Sequence, residues 1–220
     1  MVLIDDVYQK VLTFANKEQR GYITPQQFNL FADQAQKEIF EQYFYDLNQI
    51  ARVPGRSEEY SDTTHNLNEK VAIFEIEGTG QILPEDLYRL GTVMSQGIEV
   101  EEVQQNELLY MNQSYLTAPK GNRKVYVRTG DKSIDISPTA NTQTSFTYVA
   151  VPSKPSWGYV VVNERAMYDS SNTVNFQLHQ AEESELVYRI LAFAGISMQK
   201  PNLTQVAVGM ETAKQQQEKQ

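Results

Sequence analysis

Ile4, Val7, Tyr8, Val11, Leu12, Phe14 and Ala15 recur three or four residues apart, so a helix there collects them on one face. Residues 16–21 are polar and end that helix. Thr24-Pro25-Gln26-Gln27 then starts a second one: Thr24 caps, Pro25 suits the first helical position, and Gln27 closes a capping box. Phe28, Phe31, Ala32, Ala35, Ile39, Phe40, Tyr43, Phe44 and Leu47 continue the stripe. Two helices joined by a short polar turn are expected to pair as an antiparallel hairpin over residues 1–50. Residues 51–66 are polar and hold Pro54-Gly55, so 51–82 is expected to be loop and linker. Within it, Leu67, Val71, Ile73 and Phe74 fit helix and strand equally.

The middle of the chain changes period. Leu83-Pro84-Glu85-Asp86-Leu87-Tyr88-Arg89-Leu90 enters a strand expected to run to Met94, and Ser95-Gln96-Gly97 carries turn chemistry. Ile98 and Val100 alternate with glutamates, and Leu108, Leu109 and Met111 suggest a short helix over 104–112. Val125-Tyr126-Val127 and Ile134-Asp135-Ile136 flank Thr129-Gly130-Asp131-Lys132, which predicts a hairpin. Residues 146–151 and 159–163 read as further strands, with Pro138, Pro152 and Pro155 marking ends or edges.

Helical spacing returns with Leu186, Val187, Ile190, Leu191, Phe193 and Ala194. Glu182, Glu183 and Glu185 stand in the first turn, and Gly195 stands where a C-cap belongs. Beyond Pro201 the pattern fades into a Gln-rich tail too polar to bury alone, expected to be either disordered or a helix that lies on a partner. The expected fold class is α+β: N- and C-terminal helices form a bundle, with a β-rich insertion and an extended C-terminal arm. The expected organisation is a single domain over 1–220, with the insertion at 83–175, the last helix at 176–196 and the arm at 197–220.

Charge narrows the functions. Nineteen Lys and Arg against 28 Asp and Glu give a net −9, and no basic run exceeds the Lys120–Lys124 stretch with Arg123. A surface that grips phosphates needs clustered cations, so no such surface is expected. A negative surface is compatible with a passage through which DNA slides without sticking. The absence of cysteine excludes disulfides and thiolate metal sites. The N-terminus lacks the basic start and apolar core of a leader, and no window approaches the roughly 18 apolar residues of a membrane span. Synthesis and folding in a cytoplasm are expected.

Catalytic and metal chemistry find little footing. Gly21-Tyr22-Ile23 and Gly80-Gln81-Ile82 copy the Gly-x-Ile of a calcium loop. The ligands do not follow: the first set is Asn16, Glu18, Arg20 and Gln27, and the second Glu75, Glu77, Thr79 and Asp86. His65 and His179 suit a cap or an exposed position better than catalysis, and Ser184 lacks nucleophile-elbow glycines. Gly78-Thr79-Gly80 lacks the Lys and Ser/Thr of a phosphate-cradling loop. Glu99, Glu101, Glu102 and Glu107 form an acidic cluster that reads as a solvated face, or as carboxylates facing a conduit or a basic partner once subunits assemble. Phe40, Tyr43, Phe44 and Tyr45 surround one helix end more fully than a single core stripe requires. No enzyme activity, cofactor or metal ligand is expected.

Several stretches resemble virion structural proteins of tailed bacteriophages, most of all head-to-tail connector (adaptor or ring) proteins of short-tailed and crAss-like phages. They are Ile4-Asp5-Asp6-Val7-Tyr8, Gly21-Tyr22-Ile23-Thr24-Pro25-Gln26-Gln27-Phe28-Asn29, Leu83-Pro84-Glu85-Asp86-Leu87-Tyr88-Arg89-Leu90, the stretch 148–157, and Phe176-Gln177-Leu178-His179 leading into Glu182-Glu183-Ser184-Glu185-Leu186-Val187. Together they touch most of the chain. The resemblance implies a non-enzymatic subunit located in the virion, repeated in a ring, commonly twelvefold. Such a ring contacts the portal protein on one side and tail or further ring proteins on the other. DNA passes through it without sequence-specific binding, and no membrane is involved. Candidate subunit contacts are Phe40, Tyr43, Phe44, Tyr45, Trp157, and on the arm Pro201, Leu203, Val206, Val208 and Met210. Rival readings are another virion part (a capsid-vertex, tail-tube or tail-hub protein) and, from another class, a calcium- or peptide-binding module. An enzyme acting on host glycans would need paired carboxylates in a cleft, and the sequence singles out no such pair.

Overall fold

The computed structural model describes residues 1–17, 23–52, 58–121, 123–139, 144–197, 205 and 208–213. The chain is α+β. It divides into two compact units, Met1–Ile73 with Pro152–Gln220, and Phe74–Val151.

The first unit contains α1 (Ile4–Lys17), α2 (Pro25–Arg52), α3 (Glu58–Ala72), the two-stranded ribbon β8 (Tyr159–Val162) and β9 (Arg165–Tyr168), and α5 (Glu183–Ser197). The capping box forms as its spacing predicts: Thr24 N donates to Gln27 Oε1 at 3.1 Å, and Gln27 N donates to Thr24 Oγ1 at 3.3 Å. Ile4, Val7, Tyr8, Val11 and Ala15 of α1 are buried, as are Phe28, Ala32, Ala35, Ile39, Phe40 and Tyr43 of α2. Phe14, placed on the apolar face by its spacing, is exposed instead. The expected 1–50 hairpin takes a different form. Both α1 and α2 pack against α5, and Tyr8 meets Phe28 edge to face at 4.8 Å. The apolar faces of α1 and α2 therefore converge on α5, which begins 131 residues after α2 ends and 166 after α1 ends, and local spacing does not reveal this.

The loop expected over 51–66 is corrected in its second half, where α3 begins at Glu58. Residues 58–66 are polar and show no apolar period, so the helix is held from its far end. There Leu67 and Val71 are buried one turn apart, and Lys70 meets the buried Glu182 at 2.6 Å.

The second unit holds β1 (Glu75–Thr79), β2 (Leu87–Ser95), β3 (Ile98–Glu99), β4 (Glu101–Glu102), α4 (Gln105–Gln113), β5 (Val125–Arg128), β6 (Ile134–Ser137) and β7 (Thr144–Ala150). Four antiparallel strands lie in the order β1-β7-β2-β3, and a second sheet runs β4-β5-β6 with β4 parallel to β5. The central strand β7 alternates strictly, turning Phe146, Tyr148 and Ala150 inward. They share a core with Leu83, Val93, Val100, Tyr126, Ile134 and Ile136, so both sheets contribute to one cluster. Gln96 and Gly97 both take positive φ, 56° and 77°, as a two-residue hairpin turn between β2 and β3 requires. Lys124 is buried beneath this turn, its Nζ donating to Ser95 Oγ at 3.0 Å and Gln96 Oε1 at 3.2 Å.

The insertion boundaries expected at 83–175 move to Phe74–Val151. The amide of Ala150 donates to the carbonyl of Phe74 at 2.9 Å, so the unit begins and ends at one place. Residues 152–175 belong with the helices because two side chains of α2 hold them. Asn29 Oδ1 accepts from Trp157 N at 2.8 Å, and Asn29 Nδ2 donates to Trp157 O at 3.3 Å. Two turns along the same helix, the fully buried Gln36 donates to Ser153 O at 2.8 Å and accepts from Gln177 N at 3.0 Å. These amides satisfy backbone groups that lie beyond any sheet ladder. Of the two forms expected for the arm over 197–220, its described residues 208–213 are helical.

Candidate interaction surfaces

The candidate contacts separate by burial. Phe40 and Tyr43 are core side chains: Phe40 packs edge to face on Phe44 at 5.1 Å, and Lys70 Nζ lies 5.8 Å from the Tyr43 ring centroid. Trp157 is likewise buried, 3 % exposed, 4.1 Å from the Tyr8 ring with its indole N–H donating to Asp5 Oδ1 at 2.9 Å. All three are core side chains within the first unit, and Trp157 joins α1, α2 and the 152–175 segment. Phe44 is half-buried, and Tyr45 stands out with its hydroxyl accepting from Gln49 at 2.5 Å. Val208 and Met210 are exposed, whereas Pro201, Leu203 and Val206 lie outside the described residues.

The β8–β9 ribbon is a surface the sequence reading passed over. Its strands pair only with each other among the described residues. Tyr159 pairs with Tyr168 across the ribbon, and both rings lie beside Trp157, at 5.8 and 6.0 Å. From that anchor outward Val160, Val161, Val162 and Met167 are all exposed. Asn163 and Glu164 close the end with φ of 51° and 63°, a turn with both central residues left-handed. The signal was present as a run of β-branched residues without charge, yet nothing local says that such a run stays uncovered.

A second missed surface lies on the Phe74–Val151 unit. No residue of α4 is buried. Leu108 and Met111 rest on Val103, Val125 and Val127, while Leu109 and Tyr110 face away. Directly after the helix, Tyr115 and Leu116 are each 89 % exposed. The four cluster glutamates are also exposed, with Glu101 and Glu102 on β4 and Glu107 on α4. Glu102 Oε2 accepts from the Tyr126 hydroxyl at 3.1 Å. Burial, then the charge and hydrogen bond of Glu102, push the Tyr126 phenol up to about 12. The Lys120–Lys124 run does not form a cationic patch, since Lys124 turns inward and Lys120 lies over the Tyr115 ring.

Among the described residues of the helical unit, an ion cluster centres on Arg189. Arg189 reaches Glu185 at 2.7 Å, Glu38 at 3.2 Å and Glu211 at 3.2 Å, joining α5, α2 and the helical residues 208–213. Burial works against the Arg189 charge, but Glu185, Glu211 and Glu38 outweigh it and hold the guanidinium above its ordinary value. Burial, followed by repulsion from Glu185 and Glu38, raises Glu211 against the pull of Arg189. The histidines take structural places. His179 Nδ1 accepts from Ala181 N at 3.2 Å as a cap, and His65 lies on α3, 3.5 Å from Glu69. Reading 51–66 as a loop hid that helical i,i+4 partner. Among the described residues no three His or carboxylate groups gather as a metal site. No described helix is long and apolar enough to cross a membrane.

Comparison of the sequence with protein-family models gives no match, and comparison with curated proteins gives none either.

Proposed function

We propose that this chain is a structural subunit of a tailed-phage virion, acting as a head-to-tail connector that repeats in a ring between portal and tail around the DNA channel. Its work is mechanical: surfaces left open in one copy are covered by neighbouring copies and by the proteins above and below. The observation that carries this reading is the β8–β9 ribbon, apolar along its outer half with no partner strand on either outer edge among the described residues. Chains that live alone in solution guard such edges with lysine, proline or a covering loop. Charge appears here only at the tip, in Glu164 and Arg165. The exposed Val208 and Met210 add a second apolar surface on the C-terminal segment. A net charge of −9 suits a conduit that repels rather than holds DNA.

The test is mass spectrometry of purified particles combined with electron microscopy of the isolated chain and of particle necks. The expected result is the chain at a fixed copy number per particle, within a ring. Its absence from purified particles, or turnover of a small molecule by the purified chain, overturns the proposal.

A further inference from the structure

We infer that α4 and the turn after it form a preorganised plug for a protein partner whose receiving surface is an apolar socket rimmed by Lys and Arg. This inference stands apart from the virion reading, since it concerns a single surface and the chemistry that fits it.

Three observations lead there. The first is exposure: Tyr115 and Leu116, at 89 % each, are the most exposed large apolar side chains described, and Leu109 and Tyr110 stand beside them in sequence. The second is order. Ala118 N donates to Ser114 O at 2.9 Å, Thr117 Oγ1 to Met111 O at 3.0 Å, and Lys120 Nζ to Tyr115 O at 3.1 Å. The Lys120 ammonium also lies 3.0 Å from the Tyr115 ring centroid, which fixes the ring. A held Tyr on a hydrogen-bonded turn loses little conformational freedom on docking, which is the property of interface anchors, and Leu116 follows it on the same turn. The third is charge. Residues 90–119 contain Glu99, Glu101, Glu102 and Glu107 and no Lys or Arg. Glu107 lies one helical turn before Tyr110, so a carboxylate borders the apolar patch. Lys120 is the nearest cation in sequence and is engaged with Tyr115. A partner with an acidic rim meets repulsion here, and one with a basic rim meets attraction. A nine-residue helix with nothing fully buried also gains its remaining cover from such a partner.

The probe is a synthetic amphipathic peptide of leucine and lysine, compared with its leucine and glutamate counterpart. The chain has no native cysteine, so Asn112→Cys in the full chain gives one labelling position, exposed on α4, for an environment-sensitive dye. The lysine peptide is expected to give a saturable dye response that weakens about tenfold between low and physiological salt. The triple variant Tyr110→Ser, Tyr115→Ser, Leu116→Ser keeps every charge. It is expected to bind at least about tenfold more weakly with an unchanged circular dichroism spectrum. A second variant, Glu99→Gln with Glu101→Gln and Glu107→Gln, is expected to lose most of the salt dependence. Equal binding of the two peptides overturns the basic rim, and undiminished binding by the serine variant overturns the plug. Self-association in light scattering that the serine variant abolishes assigns the surface to a second copy, and this also overturns the proposal.

Discussion

Gly78 shows how one missing side chain sets a packing distance. A Cβ at this position in β1 would lie 2.4 Å from the ring of Phe146, which is 1 % exposed at the centre of the β-unit core. The ring must shift within a packed core, so Gly78→Ala is expected to destabilise the fold by about 1–3 kcal/mol through overpacking. Urea denaturation followed by tyrosine fluorescence measures it, and a change near zero would show that Phe146 repacks freely. Tyr126 makes the other residue-scale case. Its phenol ionises near 10 in an unfolded chain and near 12 in the fold. The unfolded state therefore releases its proton first as pH rises. The stabilising contribution is complete below pH 10 and is lost between 10 and 12. Tyr148 is raised in the same direction, by burial and then by Asp86. Tyr126→Phe is thus expected to reduce, not abolish, the fall of stability over that window. At pH 7 it is expected to cost about 1 kcal/mol for the lost hydrogen bond to Glu102. An unaltered slope would assign the alkaline titration to other groups.

Among the elements, α5 depends most on a single ion cluster. Arg189 pairs with Glu38, Glu185 and Glu211, with the Arg189 and Glu185 side chains 9 % and 7 % exposed. Arg189→Met leaves three carboxylates around an apolar group. The expected loss is about 3–5 kcal/mol, the usual consequence of breaking a buried pair from one side. Adding Glu185→Leu is expected to recover part of it, because the most deeply buried of the three carboxylates is then removed. Thermal unfolding of the single and double variants checks both, and a double variant no better than the single would deny the coupling. How legible such elements are in sequence varies for physical reasons. Thr24 to Gln27 was legible because a capping box is local, and so was the alternation of β7. Helix α3 was not, because its first nine residues are polar and its buried anchors come afterwards.

On the scale of the whole molecule, the chain leaves one unit at Ile73 and returns to it at Pro152. The intervening unit closes on itself through Phe74 and Ala150 and keeps a core of its own. Residues 74–151 expressed alone are therefore expected to fold cooperatively with a β-type circular dichroism spectrum. The remaining chain, joined by a short Gly-Ser linker, is expected to keep its helices. A disordered 74–151 fragment would mean that the core requires the rest of the chain. The candidate surfaces also become visible only at this scale. Phe40, Tyr43 and Trp157 looked available as interface aromatics and proved internal, whereas Val161, Tyr115 and Leu116, not among the expected contacts, proved external.

The sequence alone determined where α2 begins, most of the residues that face inward along α1, α2 and β7, and that the middle of the chain changes from helical to strand period. Those features rest on interactions within a few residues: a cap, a turn, a repeat of 3.6 or 2. Only the tertiary structure decided that α5 is the shared neighbour of α1 and α2, that Asn29 and Gln36 hold a strand-like segment more than 100 residues away, and which aromatic side chains remain uncovered. The physical reason is that an apolar side chain carries the same signal whether it ends in a core or on a surface. The distinction is made by what the rest of the chain brings against it.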